Sequence, residues 1–416
     1  MLPEIASRIP LVRRSKAPGL PLQRRFDELS ALTVPPAGAS HQDQVARACG
    51  VLNFAALIAS DTGMPDLAAQ LCWEQHQVFA EAGMLSGEIA VYALMPLVNI
   101  ARLLTREGDG EAAYDVLHRL HAAALRRSTV DICGHVVDLS TLTNDPEDHA
   151  RICKELWISV LIDGARALAS LGRWTEAAEA MAAHRGIGDR LLDGRQIKIM
   201  SLMEQGRPDQ ACALIDSTTT TEEWEVAVAG LLRYYCRPAD ARVRLGLPAA
   251  VRNVISLIST ADAGVAVFQA RAGLTALDLL DGTQDHHAAQ LCTAIAEIGT
   301  TDAYAAREIL GHRGVRSTLS GEQLSTLQEV LDVSGLGAGS LKPAHGLALD
   351  TAVHAGIEGL RELLGGSTPS GTSEDGAETA VRGEDDAVED GGGVTCKEQH
   401  QVGDFIGGCR ASERDA

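Results

Sequence analysis

Apolar residues recur three and four apart along most of this chain, the spacing of helices that each bury one face. The first such stretch opens near His41 and carries Val45, Cys49, Leu52, Ala56 and Ile58 to a stop at Asp61-Thr62-Gly63. Pro65 stands where a first helical residue is tolerated, and a second helix runs through Leu71, Cys72 and Phe79 to Gly83. A third covers about 88–106, densely apolar from Val91 to Leu97, with a kink or a fresh start expected at Pro96. Gly108-Asp109-Gly110 makes the next turn, and a fourth helix runs from Glu111 to about Arg126.

Residues 128–145 change the period. Thr129 to Leu139 is β-branched around Gly134, which predicts a short hairpin or extended loop. Asn144-Asp145-Pro146 then caps a long helix through Trp157 to Leu171. Helical patterns continue through Ile215, Trp224 and Leu231, and again at about 249–259, 264–281, 285–298, 302–312, 321–333 and 347–364. Pro3, Pro10, Pro18, Pro21, Pro35 and Pro36 break any long helix before that, so 1–40 is expected to be a flexible, Arg-rich arm. The expectation is an all-α chain: helical repeats over 41–236, a further helical region over 237–365 that continues them, and a disordered acidic tail over 366–416.

Four turns share one register. Gly63 is followed five residues later by Ala68, Gly108 by Ala113, Gly172 by Ala177 and Gly206 by Ala211. Glycine supplies the sharp reversal, and the small alanine lets the second helix lie against the first. Ala59, Leu104, Leu168 and Leu202 stand four before each glycine, where they face the partner helix. Gly172 and Gly206 are 206 − 172 = 34 residues apart, a period that belongs to stacked helix pairs.

The stretch Gly172-Arg173-Trp174-Thr175-Glu176-Ala177 resembles the turn of the tetratricopeptide repeat, with an aromatic two after the glycine. Ala56 and Ala165 match that family's small residue seven before the turn. The resemblance covers about 41–220. It departs where the family has a small residue twelve after the turn, since Gln75, Leu120, His184 and Thr218 stand there, and the inter-repeat proline is missing. What the resemblance implies is an antiparallel helix-pair solenoid whose first helices line a concave groove that binds peptides. The family's register points to Asn53, Arg102, Arg106, Arg166, Asp193, Gln196 and Glu204 on that inner face, with Asn and Arg suited to peptide backbone or a terminal carboxylate.

Composition narrows the functional classes. The chain has 416 residues, a net charge of −20 and only 3% aromatics. From Gly366 onward twelve acids oppose four bases, 4 − 12 = −8, which leaves −20 + 8 = −12 on the body. So acidic a body fits nucleic acid poorly, and no nucleic-acid partner is expected. No run of about 18 uninterrupted apolar residues occurs, so a cytoplasmic protein without a membrane partner is expected. Nine cysteines at irregular spacing lack any Cys-x-x-Cys pair and read mostly as reduced core residues. The Ala, Gly and Arg bias suggests a GC-rich bacterial source.

Catalytic signatures for hydrolases, zinc proteases and nucleotide-binding loops are missing. The cluster His118, His121, Cys133, His135, His149 and Cys153 has zinc-compatible residue types at no zinc-like spacing, so neither a metal nor a cofactor is expected. Arg185, Arg190 and Arg195 stand in a polar, Gly-rich connection at 184–196, and Arg195 joins the candidate ligand residues as a holder of phosphate or carboxylate. The leading expectation is a scaffold or adaptor that binds another protein or a peptide. The competing ones are an enzyme or enzyme subunit of peptide modification or specialised metabolism, with a pocket near 128–145 and 184–196, and a ligand- or peptide-sensing domain.

Overall fold

The computed structural model describes residues 3–237, 247–280 and 286–365. The expected acidic tail over 366–416 lies outside the described residues. The fold is all-helical, with one two-stranded sheet among the described residues. A short helix α1 (Pro3–Ala6) and an irregular segment lead to α2 (Leu22–Leu32). Then come α3 (His41–Asp61), α4 (Pro65–Ala82), α5 (Gly87–Tyr92), α6 (Met95–Arg106) and α7 (Gly110–Arg126). The break at 93–94 splits the expected third helix, and Pro96 sits in the first turn of α6, where its missing N–H costs nothing. The Gly87–Arg106 stretch is long and apolar enough to cross a membrane, and 61% of its most apolar window is buried inside the protein.

The period change at 128–145 is a hairpin. Strands β1 (Thr129–Ile132) and β2 (His135–Asp138) pair antiparallel with Thr129 opposite Asp138 and Ile132 opposite His135. Asp145 then caps α8 (Pro146–Ser159) by accepting from the N–H groups of Glu147 and Asp148. α8 runs without a break through a π-turn, Val160–Gly164, into α9 (Ala165–Ser170). Beyond it lie α10 (Trp174–Ala183), α11 (Asp193–Glu204), α12 (Pro208–Asp216), α13 (Glu223–Cys236), α14 (Leu247–Ile258), α15 (Ala266–Leu279), α16 (His286–Thr301), α17 (Ala303–Gly311), α18 (Arg313–Thr318), α19 (Gly321–Ser334) and α20 (Pro343–Gly365).

The four turns with a shared register are built alike. Gly63, Gly108, Gly172 and Gly206 all have positive φ, between 68° and 88°. The N–H after each glycine donates back to the carbonyl four before it, on Ala59, Leu104, Leu168 and Leu202. Each glycine's own N–H donates to the carbonyl three before it. This pairing satisfies the last carbonyls of the first helix and reverses the chain in one step. Ala68, Ala113, Ala177 and Ala211 are each fully buried against the preceding helix.

Helices pack on their chain neighbours from α3 through α17 and α19, with α8, the π-turn and α9 acting as one member and with α5 set aside against α3 and α8 while α4 packs on α6. The stack also closes on itself. α20 returns to pack along α3 and α4, and α2 lies between α3, α19 and α20. Gly337 and Gly339 donate their N–H groups to the carbonyls of Asp61 and Thr62, at 2.7 Å each, which ties the last loop to the first turn. Apolar packing follows the same course: one core runs from α9 to α19, a second joins α3 to α8 with the hairpin and α20, and a third fills the junction at α2, α3 and α20.

The arm expected to be flexible is packed. Ile5, Ile9, Leu11 and Val12 are buried in the core formed by α9 to α19. Their partners lie up to some 270 residues away along the chain, as for Arg8 with Asp278, so no local pattern reveals them.

Candidate functional site

The polar residues of α3, α6, the π-turn, α9 and α11 fall along one line in two hydrogen-bonded groups, Asn53 to Asp163 and Arg166 to Asp193. Asn53 on α3 is buried and accepts from the amide of Asn99 on α6 at 3.1 Å. Arg102, one turn along α6, donates to Asn99 at 3.3 Å and to Asp163 in the π-turn at 3.0 Å. Asp163, within the π-turn, reaches α6, and Arg166, just after it, reaches α11. Arg166 donates to Asp193 at the start of α11 at 2.5 Å. One turn further, Gln196 is fully buried. A second node sits at the junction: Asp61 accepts from Arg106 at 3.0 Å, Arg25 at 2.8 Å and the Tyr304 hydroxyl at 2.5 Å.

Residues 8–19 lie along this line. The segment has no helix or strand from Leu11 to Gly19. The Gln196 amide pairs with both backbone groups of Leu11: its Oε1 accepts the Leu11 N–H and its Nε2 donates to the Leu11 carbonyl, both at 2.8 Å. Gly19 is held in the same manner by the start of α17. Its N–H donates to Asp302 at 2.6 Å, and its carbonyl accepts from the Ala303 N–H at 3.0 Å. Asp302 uses its other oxygen to cap α17 at Ala305. A β-carbon on Gly19 would come within 2.9 Å of two backbone nitrogens, so the close approach requires glycine there. Between the clamps, the Lys16 N–H donates to the Gly264 carbonyl at 2.7 Å.

The segment's side chains are cationic and the surface under it is anionic. Arg8 pairs with Asp278, Arg13 with Asp262 and Arg14 with Asp193. Lys16 places its Nζ 4.0 Å above the Tyr304 ring. Burial pushes the Lys16 amine down to about 8, with the neighbouring Arg106 charge adding to the effect and Asp61 opposing it. Burial alone would raise the Asp193 carboxyl, but Arg166 and Arg14 together hold it below the usual carboxylate range. Asp278 is likewise pulled down by His312 and Arg8 against the effect of burial.

Of the residues nominated from sequence, Asn53, Arg102, Arg106, Arg166, Asp193 and Gln196 join the two nodes. Glu204 lies further along α11 and accepts from Thr175 in the first turn of α10. Two expectations about their chemistry are corrected. Arg102 and Arg166 face Asp163 and Asp193, so they are neutralised by the line itself instead of presenting a cation to a carboxylate. Arg195 points away from the line and spends its guanidinium on the Gly188 and Leu214 carbonyls and on Ser217 and Thr218, bracing the 184–196 connection. Arg190 does the same through Glu222 and Glu225.

The His and Cys cluster is dispersed. His135 stacks on Trp73 at 3.9 Å, and His149 approaches Cys153 at 3.6 Å on its own helix. Among the described residues no group of three or more His, Cys, Asp or Glu could hold a metal ion. Cys49 and Cys72 are buried thiols pushed up to about 12, which makes them poor nucleophiles. Sequence reasoning missed Asp61, Asn99, Asp163, Asp278, Asp302 and Tyr304. Asn99 was within reach of it, since it stands three before Arg102 on the same helical face.

Fold and site together define an all-helical protein with an internal line of paired polar side chains that holds a cationic, irregular chain segment. No family model matches this chain, and neither a curated protein nor a solved structure does.

Proposed function

We propose that this chain is a tetratricopeptide-like solenoid, closed end to end, that binds an extended segment of a peptide or protein in its inner groove. One observation carries the reading: the Gln196 amide recognises Leu11 through backbone N–H and C=O alone. A side chain that pairs both backbone groups of one residue reads an extended chain whatever its sequence, which is how peptide grooves combine affinity with tolerance. The Asp302 and Ala303 pair at Gly19 repeats the arrangement at the other end of the track. The four equal turns support the repeat architecture, because each places the first helix of its pair against the line.

A peptide-display selection on the immobilised full chain tests the reading. The protein carries Gly19→Ala, so that its own segment is loosened. Peptides enriched at least about tenfold on this protein and lost when Gln196→Ala is added support the groove. Equal enrichment on both proteins, or none on either, contradicts it.

A further inference from the structure

We propose that the groove's exchangeable ligand is a cationic, extended peptide, and that residues 8–19 are a resident copy of it which the ligand displaces. The inference rests on the peptide-receptor reading above and names the ligand class for it. Four cationic side chains in this segment, Arg8, Arg13, Arg14 and Lys16, meet Asp278, Asp262, Asp193 and the Tyr304 face with Asp61 beneath it. The aspartates come from α11, α15, the loop before α15 and the junction at the end of α3, so four separate parts of the fold supply one anionic track. Asp302 adds a buried carboxylate that accepts a backbone N–H. Arg102, Arg106 and Arg166 each pair with an aspartate of the line; Arg106 and Arg166 still oppose the charges of Lys16 and Arg14, which Asp61, Asp163 and Asp193 offset in part.

The resident segment is fastened by means that a second chain reproduces. Leu11, Lys16 and Gly19 are held through backbone groups. Arg13 and Ser15 are exposed, and the Arg13 pair with Asp262 spans 3.4 Å at the surface. Exposed pairs of this kind contribute little and are weakened by salt. A tethered segment competes at an effective concentration of about millimolar, so an outside peptide meets a groove that is mostly filled. Loosening the tether by a given factor raises the peptide's apparent affinity by the same factor while the groove remains mostly filled.

A disulfide makes the competition testable in one protein. A β-carbon at Gly264 would lie 3.4 Å from the Ser15 Oγ, within reach of a bridge between Ser15→Cys and Gly264→Cys. The full-length double variant is titrated, oxidised and reduced, with a fluorescent synthetic peptide carrying the sequence of residues 4–21. Peptide mapping verifies the bridge against the native cysteines. Hydrogen exchange at the Leu11 amide reports the segment itself. The expected result is binding to the reduced protein at least about tenfold tighter than to the oxidised one, with faster Leu11 exchange once peptide is added. Equal binding to both forms overturns the proposal, because the peptide then goes elsewhere. No binding, with Leu11 exchanging as slowly as α13 in the reduced form, also overturns it, because the segment is then a permanent strut. No binding with fast Leu11 exchange instead removes the peptide-receptor reading, because an emptied track has refused the ligand.

Discussion

Gln196 and Lys16 hold neighbouring parts of one segment by different physics. Gln196 is a neutral amide whose contacts are complete: two to Leu11 and one to the Leu191 carbonyl. Gln196→Ala leaves those backbone groups unpaired in the interior, and each such group costs about 1–3 kcal/mol. A loss of roughly 2–4 kcal/mol is expected in urea unfolding, without a change in helix content. Lys16 is an amine in the wrong solvent. Its folded pKa is lowered to about 8 from 10.5, so the unfolded chain binds the proton more tightly across that window. Between about 8 and 10.5 Lys16 therefore adds stability as pH rises, while the buried Cys49 and Cys72 thiols, raised from 9.0 to about 12, remove it over the same range. Urea midpoints should fall more steeply over that range in Lys16→Met than in the wild type. Asp193 has the same slope in a lower window: its pKa is depressed, so the stability it supplies is present above the ordinary carboxylate range and lost on acidification below it.

At the scale of elements, close approach decides where glycine is indispensable. Gly110, the first residue of α7, would place a β-carbon 2.2 Å from the Ala167 carbonyl oxygen, so Gly110→Ala forces α7 away from α9. Gly172 has open space around it and needs only its positive φ of 74°. We expect Gly110→Ala to cost about 3 kcal/mol or more, at the upper end of overpacking, and Gly172→Ala about 1–2 kcal/mol. Thermal unfolding of the two variants checks the order. The turns were legible because everything they need lies within ten residues: a glycine, an apolar residue four before it and an alanine five after. The hairpin was legible for the same reason. The π-turn was not, since Val160 to Gly164 has ordinary helical composition. The site was half legible. The resembled family's register put Asn53, Arg102, Arg106, Arg166 and Gln196 on one face, but the charge partners Asp61 and Asp163 are ordinary helix residues until the fold brings them in. Arg195 failed because register does not say which way an arginine's long side chain turns. The segment before α2 failed because four prolines argue against helix, and absence of helix is a different property from absence of packing.

At the scale of the molecule, closure and charge combine. The hydroxyl of Tyr304 on α17 and the side chains of Arg25 and Arg106 converge on the single carboxylate of Asp61, so the first and last parts of the stack share one buried node. The acidic body and the cationic segment complement each other over the track that runs from that node to Gln196. An open stack of helix pairs carries no such internal constraint, because each repeat contacts only its neighbours. The central claim is that this track takes an extended chain through the Gln196 clamp. Calorimetric titration of the residue 4–21 peptide into full-length Gly19→Ala protein, with and without Gln196→Ala, tests it most directly. The account predicts saturable binding that weakens at least about tenfold when Gln196 is removed. Binding of undiminished affinity to a folded protein lacking Gln196 would contradict it.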